Sequence, residues 1–239
     1  MGHNVPKAVP LFRADRGVTL LGGGPLAGAD LADALALAPH LVAADGGANA
    51  ALAAGQMPAA VYGDMDSLAP EIRARIPPER IHSLAEQDST DFDKALRHIQ
   101  APFVVAAGFT GARVDHELAV YHGLAARPDQ RCVVLGAQDV ILHAPPQLIL
   151  DLPADTRLSL FPLADVTGRS DGLVWPIDGL GFHPSRRIGT SNRARGGQVA
   201  LRFDAPGMLL IVPRALLPVV VSALAQASVW PRAPGLASL

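Results

Sequence analysis

From Val18 to about Leu135, short runs of consecutive apolar residues alternate with segments whose apolar positions recur at helical spacing. Val18–Leu21, Leu41–Ala44, Ala60–Tyr62, Phe103–Ala107 and Arg131–Leu135 read as strands buried on both faces. Ala29–Ala38, Ala48–Ala54, Thr90–Gln100 and Asp115–Ala126 read as helices. In the third of these, Phe92, Ala95, Leu96 and Ile99 fall on one stripe at i, i+3, i+4 and i+7. Such alternation predicts βαβ units and a mostly parallel sheet covered by helices. After about Gly136 the texture changes. Leu148–Leu150, Arg157–Phe161, Gly172–Trp175, Gln198–Phe203 and Met208–Val212 are short β-like runs separated by Pro, Gly, Asp and Asn. Helical periodicity is nearly absent there until the tail, which predicts an all-β sandwich. The change falls within residues 136–147 and divides the chain into an α/β domain, 1–138, and a β-sandwich domain, 139–239.

Composition adds limits. Of 239 residues, 49% are apolar and 18% charged, enough to build a sizeable core. Twenty basic residues against 22 acidic ones give a net charge of -2, so no long-range field recruits nucleic acid. Any anion must be captured locally. The single cysteine, Cys132, lies in an apolar run and reads as a small buried hydrophobe. With no disulfide framework, a reducing cytoplasm is the expected location. Pro6, Pro10, Arg13 and Asp15 interrupt the N-terminus, so no signal peptide is expected. Ala215–Trp230 contains Pro218, Ser222, Gln226 and Ser228 and falls short of the roughly 20 apolar residues a membrane span needs. A soluble protein with no membrane partner is expected.

The candidate chemistry is acidic. Asp64-Met65-Asp66-Ser67 and Gln87-Asp88-Ser89-Thr90-Asp91-Phe92-Asp93-Lys94 put five carboxylates into two short segments. Crowded carboxylates repel, and a hard divalent cation relieves the cost. Magnesium typically takes one or two of them together with substrate phosphates. A magnesium-dependent enzyme acting on a phosphate-rich substrate is the first expectation. Helix capping accounts for Thr90 as N-cap with Asp93 three residues on, but it does not require Gln87, Asp88 and Asp91 as well. Gly22–Gly24, Asp45-Gly46-Gly47 and Gly63-Asp64 each follow a predicted strand, where ligands of open α/β sheets gather. Gly108–His116 follows another and delivers Arg113 to clamp phosphate oxygens, with Asp115 as helix cap or orienter of the arginine. His116 is a secondary candidate. In the β region, Gly189-Thr-Ser-Asn192 offers small hydrogen-bonding residues, while Arg186, Arg187, Arg193 and Arg195 read as a solvated basic loop. Trp175, taken alone, reads as sandwich core.

In order along the chain, Ala44–Asn49, Gly63–Ser67, Gln87–Leu96, Gly108–His116, Gly172–Pro176 and Thr190–Asn192 resemble the segments of the thiamine pyrophosphokinase family. The resemblance covers roughly residues 18–212. It implies an ATP-binding α/β domain, a thiamine-binding β-sandwich and a homodimer with active sites at the subunit interface. The implied reaction transfers the diphosphate of ATP to the hydroxyl of thiamine and releases AMP. By resemblance, Asp64, Asp66 and Asp91 are the magnesium and diphosphate site, with Asp88 close by. Asp45 and Asn49 are pocket residues, Gln87 and Thr90 nucleotide contacts, and Arg113 a phosphate ligand. Trp175 matches an aromatic that stacks on thiamine, and Ser191 with Asn192 a polar pair beside it. A flat indole face suits a cationic thiazolium. The chain departs from the family pattern at Glu117–Val120 and at Arg193. Two further readings stand beside this one: a pyrophosphokinase for another alcohol, such as a pterin, and a non-catalytic thiamine sensor.

Overall fold

The computed structural model describes residues 11–86 and 88–231. In its first half, apolar runs and helical stripes alternate as elements β1 (Phe12–Arg13), β2 (Val18–Leu21), α1 (Asp30–Leu37), β3 (His40–Ala44), α2 (Gly47–Ala53), β4 (Ala60–Gly63), α3 (Pro70–Arg73), β5 (Ile81–Ser83), α4 (Asp91–Arg97), β6 (Ile99–Gln100), β7 (Val104–Ala107), α5 (Val114–Ala126) and β8 (Cys132–Leu135). The second half continues with β9 (Asp139–His143), β10 (Gln147–Leu152), β11 (Arg157–Pro162), β12 (Val166–Asp171), β13 (Gly181–Phe182), β14 (Gly189–Arg193), β15 (Gly197–Phe203), β16 (Met208–Pro213) and α6 (Leu217–Gln226).

Strands β2, β7 and β8 pair in parallel, as do β3, β4 and β5. Their side chains alternate between two cores, because successive residues of a strand face opposite ways. Val18, Leu20, Val42, Ala44, Val104, Ala106 and Val134 meet Phe92, Ala95 and Leu96 of α4 and Val120 and Leu124 of α5. Leu21, Ala43, Val61, Val105 and Val133 meet Ala34 of α1 and Ala48, Ala51 and Leu52 of α2 on the other face. Small alanines on α1 and α2 let those helices lie close to the sheet.

The main sheet does not stop at the predicted boundary of 138/139. β8 pairs antiparallel with β9, and β16, β11 and β14 extend the same sheet in the order β14-β11-β16-β9-β8-β7-β2. A second sheet, β10-β15-β12-β13, supplies the other wall of the sandwich. Leu148, Leu150, Leu152, Val199 and Leu201 from it share one core with Val140, Leu142, Leu158, Leu160 and Leu210. The alternating burial of β10 shows the one-sided exposure typical of such a wall. α6 packs beside β10 through Leu217, Val220, Val221 and Leu224. Cys132 is buried and unpaired. Among the described residues, no helix is long and apolar enough to cross a membrane.

The segment Gly172–Trp175, expected as a strand, is instead a turn in which only Leu173 forms a bridge, to Ala194. Gly172 has φ 79°, and a Cβ there would come within 2.3 Å of the Gln198 carbonyl oxygen. The chain must turn at that residue and cannot run on as strand.

Candidate functional site

Strands β3 and β4 end side by side, and each hands an aspartate to the same space. Asp45 leaves β3 with φ 41°, and Gly63 closes β4 with φ 153°. A Cβ at Gly63 would stand 2.8 Å from Asp45 Cβ and 3.2 Å from Asp91 Oδ1, so a side chain there would close the gap between the segments. Met65, at φ 69°, then turns the loop back. Asp91 arrives from the start of α4, where Thr90 Oγ1 accepts the Asp93 N–H at 3.4 Å and leaves the Asp91 carboxylate free of capping duty. Oxygens of Asp45, Asp64 and Asp91 consequently lie within 4.8 Å of one another.

The bonding around this group is uneven. Asp45, only 3% exposed, accepts the Ser67 N–H on Oδ2 at 3.1 Å, while its Oδ1 is buried without a hydrogen-bond partner. Burial drives the Asp45 carboxyl up to about 6, partly offset by Ser67. Burial likewise raises Asp91, against the pull of Lys94. At Asp64 burial acts upward too, but the Asp66 amide and the Lys94 ammonium outweigh it and hold that carboxyl below its ordinary value. Lys94 Nζ stands 3.4 Å from both Asp64 Oδ2 and Asp91 Oδ1. A buried, unpaired carboxylate oxygen flanked by two further carboxylates is a donor set suited to a hard cation such as Mg²⁺.

Around the group opens a cavity of about 670 Å³, lined by Gly23 and Gly24, by Asp45, Asn49, Asp64, Thr90, Asp91 and Lys94, and by Gly108, Arg113 and His116. It lies at the carboxyl ends of β2, β3, β4 and β7, the position expected for ligands of an open α/β sheet. Asn49 secures its floor, donating to the Ser67 carbonyl at 2.8 Å and accepting the Ala69 N–H at 3.1 Å. Arg113 reaches the cavity from an exposed position and makes a two-point pair with Asp115, at 3.1 and 2.6 Å.

Residues 31–135 match the family description "Thiamin pyrophosphokinase, catalytic domain". The match covers less than half of the chain. Thiamine pyrophosphokinase 1 of Arabidopsis thaliana is 24% identical over 167 residues, 62% of each chain. Thiamine pyrophosphokinase 3 of Oryza sativa subsp. japonica is 26% identical over 157 residues, 58% of this chain and 59% of that one. The matched stretch thus spans about three-fifths of these relatives' length. The fold extends the likeness. Thiamin pyrophosphokinase from Candida albicans superposes with a TM-score of 0.70 at 14% identity, over 85% of this chain and 93% of its own. The Geobacillus thermodenitrificans structure gives 0.67 at 23%, over 82% and 96%.

Several residues expected from the thiamin pyrophosphokinase resemblance line the cavity: Asp45, Asn49, Asp64, Thr90, Asp91 and Arg113. Asp66 is exposed and stands outside the group of three, yet its side chain hydrogen-bonds with that of Asp45, its charge acts on Asp91, and its Oδ1 accepts the Ser67 hydroxyl at 2.9 Å. Asp88 lines a smaller neighbouring cavity between α4 and α5. Gln87 lies outside the described residues. Trp175, Ser191 and Asn192 are not among the lining residues. Trp175 is 55% exposed, not sandwich core. Asn192 holds it there, accepting the Trp175 N–H at 3.2 Å and donating to its carbonyl at 2.7 Å. Ser191, with φ 62°, is fixed by its own N–H to Ser159 Oγ at 2.9 Å. Two roles escaped the sequence pattern. Asp45 was grouped with the nucleotide pocket and not with the metal set, and Lys94, three residues after Asp91 on the same helical face, had no role.

Proposed function

We propose that this chain transfers the diphosphate of ATP to the hydroxyl of thiamine, giving thiamine diphosphate and AMP. The observation that carries the reading is the buried, partnerless Asp45 oxygen beside Asp64 and Asp91 at the cavity floor. Asp45, Asp64 and Asp91, with Asp66 beside them, are the residues that would hold Mg²⁺. When bound, the ion supplies positive charge against the diphosphate oxygens.

The remaining work belongs to the chain. Arg113, free to turn from Asp115, clamps phosphate oxygens, while Gly23, Gly24 and Gly108 admit the polyphosphate close to the backbone. The thiamine hydroxyl oxygen attacks the β-phosphorus in line. The bond from that phosphorus to the α–β bridging oxygen breaks, and AMP departs with the electron pair. A carboxylate that lines the cavity takes the hydroxyl proton; Asp91 lines it, whereas Asp88 faces the neighbouring cavity. Positioning and electrostatics supply most of the rate.

Thiamine stacks on Trp175, with Ser191 beside it and Asn192 presenting the indole. Those residues do not line the carboxylate cavity, which favours a site completed by a second copy and a homodimer as the working form. Exposed Val114 and Leu118 on α5 are apolar surface for that contact. A single buried thiol suits the cytoplasm.

AMP release measured with thiamine and with a hydroxymethyl pterin, each with and without Mg²⁺, tests the assignment. AMP forms only with thiamine and the metal together. Turnover of the pterin would reassign the acceptor, and tight thiamine binding without any AMP would make the protein a sensor.

A further inference from the structure

Lys94 lies in the last turn of α4 and is 2% exposed. A lysine kept for packing runs its stem along apolar surface and carries its head to water. Here the head ends inside, equidistant from Asp64 Oδ2 and Asp91 Oδ1 at 3.4 Å. That length is long for a charge-assisted hydrogen bond and within the range of an ion pair, so the ammonium is shared equally between the two carboxylates. Taking an ammonium out of water is costly unless counter-charges go with it. Asp64 and Asp91 are those counter-charges. The third member of the group receives nothing from it, since Asp45 Oδ1 has no partner.

The arrangement has an electrostatic consequence. Lys94 draws on the same negative potential that a divalent cation would use, and two cations a few ångströms apart repel. The diphosphate of a nucleotide brings its own negative charge and offsets that repulsion. We propose that Lys94 is a positioning residue and built-in counter-ion: it fixes the spacing of Asp64 and Asp91 and keeps free divalent ions weakly held until a nucleotide arrives. This rests on the reading of the carboxylates as a metal site.

The test is Mn²⁺ binding to the full chain without nucleotide, followed by electron paramagnetic resonance, for the wild type and for Lys94→Met. The variant keeps the stem and removes the charge. It is expected to bind Mn²⁺ at least about tenfold more tightly, since a competing cation has gone. Its kcat with Mg-ATP and thiamine is expected to fall at least about tenfold, because the carboxylates lose what spaces them. A purely structural lysine would leave Mn²⁺ affinity unchanged, and that result overturns the proposal. Lys94→Gln repeats the measurement if Lys94→Met does not fold. Failure of both variants to fold also overturns it, because the lysine would then be required by packing alone. A wild type and variants that all ignore millimolar Mn²⁺ would overturn the metal site itself.

Discussion

Asp91 can lose its charge without losing its helix, because the N-cap of α4 is Thr90. Asp91→Asn is therefore expected to lower kcat by about 100-fold or more while changing the melting temperature little. Steady-state AMP release and thermal unfolding of the same preparation check both halves. The acids at 64, 66 and 91 stand out in sequence because local structure does not need so many of them. Asp45 is harder to place. Its approach to Asp64 depends on two backbone angles, φ 41° at Asp45 itself and φ 153° at Gly63, that join the ends of separate strands. Side-chain spacing along the chain carries no record of that meeting. Lys94 shows the opposite situation: its i,i+3 relation to Asp91 is plain in the sequence, but its reach to Asp64, thirty residues earlier, is not.

Among the elements, β2, β3, β4, β7 and β8 were legible because each is a run of apolar residues buried on both faces. β9, β12 and β14 were not. β9 follows a glycine and precedes two prolines, punctuation that reads as a linker, and β12 and β14 are largely polar. Register with a neighbouring strand makes them strands, a long-range fact. Two predictions belong here. Phe92 of α4, 2% exposed, packs edge-on against Phe109 with ring centroids 5.0 Å apart. Phe92→Ala is expected to destabilise the fold by about 3–5 kcal/mol, measured by urea unfolding. His143 of β9 is buried and accepts the Gly207 N–H on Nε2 at 2.7 Å, and burial depresses its pKa from 6.5 to about 4. A depressed histidine stabilises the fold fully above pH 6.5 and progressively less as pH falls toward 4. That loss amounts to about 3 kcal/mol by linkage. His82 and His98, both depressed chiefly by burial, act in the same direction. Asp45, raised to about 6, acts in the opposite direction, so the test is the difference between chains: the unfolding free energy of His143→Gln is expected to gain relative to the wild type as pH falls from 6.5 toward 4. An unchanged slope in the variant would show that His143 does not titrate on unfolding.

At the scale of the molecule, the sheet that runs through β8 into β9 joins the α/β half to the sandwich without a hinge of separate sheets. The sequence pattern marks the change of texture near residue 138 but cannot show that hydrogen bonding continues across it. The two halves present different chemistry, carboxylates at one place and an exposed indole at another. If a second copy completes each site, an equal mixture of Asp91→Asn and Trp175→Ala chains recovers about a quarter of wild-type activity, since half the dimers are mixed and each has one intact site. A site completed within one chain recovers nothing on mixing. The proposed reaction moves a diphosphate and not a single phosphoryl group. Mass spectrometry of the products from thiamine and Mg-ATP tests it most directly: thiamine diphosphate with an equal amount of AMP is the predicted result, and thiamine monophosphate with ADP would contradict it.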